Sequence, residues 1–195
     1  MKRILMVSHC LLNTASKVER YKEPSIQAEE CLRKEVLRKA IEEGVQLIQL
    51  PCPEFIMYGA KRWGHTFEQF DNPFYRQKCR EILMPLMLEL KEYAAQDDVC
   101  LLGVLGIDGS PSCGVKYTCR GPWGGEFSGS NVEPVLKQAG LAEEPGVLME
   151  VLMEMLEENG LKLPVEGLFA KEPERALRLI AGEQPGGLVG EQRED

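Results

Sequence analysis

Three of the seven cysteines in this 195-residue chain stand at equivalent places. Cys10 follows Ile4-Leu5-Met6-Val7-Ser8-His9, and Cys52 follows Gln46-Leu47-Ile48-Gln49-Leu50-Pro51. Cys113 follows the apolar run from Val99 to Leu105 and the turn Gly106-Ile107-Asp108-Gly109-Ser110-Pro111-Ser112. Three thiolates meeting in a cleft can hold zinc with an open position, or an iron–sulfur cluster with one iron free of protein ligands. Without metal, one of them could act as a nucleophile. Soft thiolate donors with no obvious fourth cysteine and no nearby His pair suit iron–sulfur chemistry, while zinc would recruit His9 or His65 as fourth ligand. Three unrelated core cysteines are the plain alternative, because free Cys is often buried. Their shared position at strand ends weighs against it.

The elements that must position these thiols follow from apolar patterning. Strands are expected at Arg3–Val7, Gln46–Leu50, Val99–Ile107 and Val165–Ala170, the third buried on both faces. Helices are expected from Ser25 to Gly44, from Asn72-Pro73 to about Gln96, from Pro145 to Asn159 and from Pro173 to Ala181. Pro85 should kink or split the second of these. The order βαβαβ(loop)αβα predicts an α/β fold: a three-layer, Rossmann-like parallel sheet of four strands in the order 2-1-3-4, with helices on both faces. Residues 1–181 would form a single domain and 182–195 a flexible tail. This order sets the cysteine-bearing strands side by side, with their carboxyl ends, where such sheets bind ligands, spanning roughly 10 Å.

Several connections could line the same mouth. The segment from Ser8 to Pro24 is long and polar, as functional or mobile loops are. Pro51 and Pro53 stiffen the backbone around Cys52 and set Glu54 beside it. Phe55 to Asp71 mixes Tyr58, Lys61, Arg62, Trp63, His65 and Phe67, which could clamp a planar or anionic ligand or simply cover the sheet edge. Arg76, Cys79 and Arg80 share one helix face, directed either at the cysteines or at solvent. On charge alone, Arg62, Arg76 and Lys116 are candidates to hold an anionic part of a substrate. Cys31 reads as a half-buried, inert thiol.

Composition narrows the function classes. With 23 basic and 31 acidic side chains the formal charge is −8, and no Lys/Arg block offers counterion release, so duplex nucleic acid is not expected as a partner. The apolar stretch after Lys2-Arg3 is too short for a signal peptide, and no run is long enough to span a membrane. A cytoplasmic protein is expected, its cysteines serving as thiols or ligands rather than disulfides. The absence of Cys-x-x-Cys removes the commonest zinc-ribbon and thioredoxin-like readings.

Ser8-His9-Cys10-Leu11-Leu12-Asn13, Cys52-Pro53-Glu54 and Ser110-Pro111-Ser112-Cys113-Gly114 resemble, in order and spacing, the three cysteine motifs of the thiouracil desulfurase (TudS) family. The resemblance covers roughly residues 1 to 125. It implies a 4Fe–4S cluster held by Cys10, Cys52 and Cys113, with the sulfur of a small thiolated substrate bound to the remaining iron. By the same match Glu54 corresponds to a catalytic acid/base and Ser110 to an active-site hydroxyl. The sequence departs from the family where Asn13 replaces a Gly and no second cysteine follows, and where Tyr58-Gly59 and Lys61-Arg62-Trp63 replace Gly-Leu and Pro-Arg elements. The implied reaction is a hydrolytic conversion of C=S to C=O, with Glu54 activating water. A cluster- or metal-binding sensor without turnover and a metal-free cysteine-nucleophile transferase are the alternatives.

Overall fold

Short aliphatic runs between helices form the parallel strands β1 (Lys2–Val7), β2 (Val45–Gln49) and β3 (Val99–Ile107). The computed structural model describes residues 1–20, 24–122, 124–126, 128–129 and 131–182. Helices α1 (His9–Leu12), α2 (Pro24–Glu42), α3 (Pro53–Tyr58), α4 (Phe67–Phe70) and α5 (Pro73–Ala94) lie between these strands. After β3 come a short ribbon of β4 (Thr118–Arg120) and β5 (Gly140–Ala142), with α6 (Glu133–Leu136) between them. Then follow α7 (Val147–Glu158), β6 (Val165–Leu168) and α8 (Pro173–Ala181). The main sheet runs β2-β1-β3-β6, all parallel. Counting only its four strands, this is the 2-1-3-4 order read from the sequence, and the last strand stops at Leu168 rather than Ala170.

Alternation along the strands feeds two cores. Ile4, Met6 and Val104 pack with Leu83, Met87 and Leu90 of α5 and Leu148, Val151 and Leu152 of α7. Leu5, Val7, Leu105 and Ile107 pack on the other face with Leu32 and Val36 of α2 and Leu179 and Ile180 of α8. The sheet is therefore a slab held between two helix pairs, and its carboxyl edge is left to the loops.

Two local alternatives are decided. Helix α5 is one element running through Pro85, not two, because its buried face on both sides of the proline is held by the same core. The Arg76/Arg80 face does not line the cysteine cleft; it is a partly solvent-exposed seam between helices. Arg80 pairs with Glu154 at 2.8 Å and Glu158 at 2.9 Å, and Arg76 with Glu150, so this face is zipped to α7. Among the described residues no helix is long and apolar enough to cross a membrane. The tail expected from 182 onward lies, from residue 183, outside the described residues.

Candidate functional site

Each of the three cysteines is carried past the end of its strand by a specific backbone device. Ser8 N–H bonds Leu105 O at 3.0 Å, extending the β1–β3 ladder by one residue before the chain turns into α1 with Cys10 in it. Leu50 N–H bonds Val7 O at 2.8 Å, and Cys52 then caps α3, its Sγ accepting from Phe55 N–H at 3.4 Å. Beyond β3 the chain folds back so that Ile107 N–H meets Cys113 O at 2.9 Å. That return passes so close that a Cβ on Gly106 would lie 2.4 Å from Cys113 O, and one on Gly114 2.1 Å from Tyr117 O. Only glycine fits at either place.

The same turn is pinned from below. Asp108 Oδ1 accepts from Val115 N–H at 2.8 Å and Lys116 N–H at 2.9 Å, while Oδ2 takes Arg175 Nη1 at 2.8 Å. Ser110 Oγ accepts from Ser112 N–H at 3.2 Å and Cys113 N–H at 3.0 Å. The result is that Cys10, Cys52 and Cys113 line one cleft of about 770 Å³ at the carboxyl edge of the sheet.

Burial governs the thiols. Desolvation pushes Cys10 up to about 12, with Lys17 pulling against it. Cys52 is also raised by burial, and Cys113 is driven well above the ordinary thiol value by burial and then by the nearby charges of Cys10, Cys52 and Glu54. Such thiols ionise only if positive charge joins them, and metal ligands are deprotonated by the metal they bind. Among the described residues no three His, Cys, Asp or Glu side chains are drawn together tightly enough for a single metal ion. One tetrahedral zinc needs its sulfurs about 4 Å apart. The two imidazoles considered for zinc both line the cleft: His9 hydrogen-bonds Gln49 and stacks over Phe55, and His65 lies against Tyr58 and Phe70, its buried Nδ1 without a hydrogen-bond partner among the described residues.

Beside the thiols sits a buried proton-handling group. Glu54, 8% exposed, bonds Arg62 Nε through Oε2 at 3.1 Å and lies beside the Ser110 hydroxyl, which favours its charged form and is free to donate because both backbone N–H bonds reach its lone pairs. Burial raises the Glu54 carboxyl, while Arg62 and Ser110 act in the opposite direction. Arg62 lines the cleft and commits three of its five N–H donors to the protein, Nε to Glu54, Nη1 to Gly59 O at 3.0 Å and Nη2 to Ser16 O at 2.8 Å. It ties the first and second loops to Glu54.

Of the other residues singled out on charge, Arg76 and Lys116 do not line the cleft. Arg76 is spent on Asp71 and Glu150, and Lys116 reaches Glu172 at 3.2 Å over the Tyr117 ring. The cleft instead has Lys17, Arg20 and Lys171 on its walls, with Glu29 bonded to both of the first two. Cys119 on β4 and Phe169 after β6 also line it. Lys171 and Phe169 follow a strand end, so the carboxyl-edge rule that found the cysteines could have found them.

An uncharacterized protein of Methanocaldococcus jannaschii, MJ0003, is 35% identical to this chain over 114 residues, covering 58% of this chain and 69% of its own length. No protein-family model matches the chain. No solved structure matches it significantly.

Proposed function

The chain belongs to the same family as the uncharacterized protein MJ0003, and we propose that it is an iron–sulfur-dependent desulfidase that removes sulfur from a small thiocarbonyl compound by hydrolysis. The observation that carries this reading is the meeting of three buried thiols with the Glu54–Arg62–Ser110 group at one cleft. Cys10, Cys52 and Cys113, which line one cleft, would hold a 4Fe–4S cluster, since an all-thiolate donor set is what such clusters take. When bound, such a cluster supplies one iron without a protein ligand, able to take a thiocarbonyl sulfur and polarise the C=S bond.

Glu54 does the proton work. Its burial makes the charged form costly and so favours taking a proton from a water held beside it. The water oxygen adds to the thiocarbonyl carbon and the carbon–sulfur bond breaks. The balance is one thiocarbonyl and one water giving one carbonyl and one hydrogen sulfide. No electron donor is consumed. Arg62 keeps the carboxyl aimed and returns it to the charged form after the proton is passed on. Ser110 links Glu54 to the Cys113 turn, so acid/base and ligand move as one piece.

A metal-free nucleophile is less well supported, since catalytic thiols need values pulled below the ordinary one and these are pushed up. The test is anaerobic reconstitution with iron and sulfide, followed by assay of sulfide release from thiocarbonyl compounds. Iron-dependent release supports the reading, and a loaded protein that releases none from any of them favours a sensor.

A further inference from the structure

Ser8 is wholly buried, at the point where β1 hands over to α1. A serine at a helix N-cap ordinarily spends its side chain on a backbone N–H of the first turn. Here it does not: Leu11 N–H goes to the Ser8 carbonyl at 2.9 Å, and no side-chain cap is made. Among the described residues the hydroxyl has no hydrogen-bond partner. A buried hydroxyl without an acceptor is costly, and alanine would fill the same space without that cost.

The Ser8 hydroxyl lies beside the buried Cys113 thiol and favours that sulfur's charged form. A neutral thiol is a poor acceptor, whereas a metal-bound thiolate carries enough charge to make a good one. Ser8 is thus wasted on a protonated trio and satisfied once Cys113 ligates.

We propose that Ser8 is a positioning residue that donates a hydrogen bond to the cluster ligand Cys113 and so sets the cluster's reduction potential. This rests on the cluster reading above. A hydrogen bond to a ligand sulfur favours the more negative, reduced state and raises the potential. Cys52 has a comparable donor from its own helix, Phe55 N–H, so the serine supplies to the third strand what the backbone supplies to the second.

The experiment compares anaerobically reconstituted wild type, Ser8→Ala and Ser8→Thr by iron and labile-sulfide content and by redox titration followed by EPR. Ser8→Ala should retain iron and titrate at a lower potential than the wild type, with Ser8→Thr closer to it. A Ser8→Ala cluster titrating at the wild-type potential overturns the proposal. If Ser8→Ala holds no iron, recovery of the cluster in Ser8→Thr supports it and equal loss in Ser8→Thr overturns it. A wild type that takes up no cluster is a different failure, that of the desulfidase reading itself.

Discussion

A carboxylate as buried as Glu54, flanked by one guanidinium and one hydroxyl, is suited to holding and passing a proton more than to stabilising the fold. Glu54→Gln preserves the shape and should keep full iron content while sulfide release falls by about 10²–10⁴-fold, the usual worth of a positioned base. Unchanged release from the variant would remove Glu54 from the chemistry. Arg62 makes a prediction of another kind, because Arg62→Met strands a buried charge. It should cost about 3–5 kcal/mol of stability in denaturant titrations, and a loss below about 1 kcal/mol would mean that the pair is of little consequence. The cysteines and Glu54 are legible in the sequence because their types announce their chemistry. Arg62 is legible only as a charge: its engagement with Ser16 and Gly59, distant in the chain, is a product of the fold.

Among the elements, the β3 turn and the first loop set the geometry. A methyl group at Gly114 has no room against Tyr117 O, so Gly114→Ala should shift Cys113, lower the iron bound per chain and leave the carboxyl-terminal turns of α2, at the opposite edge of the sheet, unaffected in hydrogen exchange. Wild-type iron content in that variant would contradict the placement. The first loop is anchored on Glu29. Burial pushes its carboxyl up, but Lys17 and Arg20 outweigh this and hold it below its ordinary value. A depressed carboxyl contributes stability that is fully present above its unfolded value and lost as pH falls through its folded one. Amides of residues 13–18 should therefore lose exchange protection below about pH 4, before those of β1, and parallel loss in both would refute the anchor. The sequence marks this stretch only as a long polar loop. Its α1 and the turn at Thr14–Ser16 leave no signal there, because segments of three and four residues carry no periodicity. Pro85 announces a kink or a break in α5 without deciding between them, since local chemistry at a proline is visible in the sequence and the core that keeps α5 one element is not.

Across the whole molecule, the strand order is legible because apolar runs, helix periods and the parallel crossover rules leave few arrangements. The β4–β5 ribbon is not, its three-residue strands being tied down by Arg120 bonds to Glu68 and Glu144 rather than by any pattern. The strand order brings Cys10, Cys52 and Cys113 to the ends of three adjacent strands, so a cluster held by them would staple the sheet across its carboxyl edge. Removing it should lower the melting temperature, since whatever binds only the folded form stabilises it. Equal melting of loaded and chelated protein would deny the staple. The most direct test remains elemental: iron and acid-labile sulfide measured on the chain prepared without air. A brown protein with about four irons and matching sulfide per chain, lost in Cys113→Ser, is what a three-thiolate cluster site requires. A colourless wild type that takes up neither iron nor sulfide on reconstitution would contradict it.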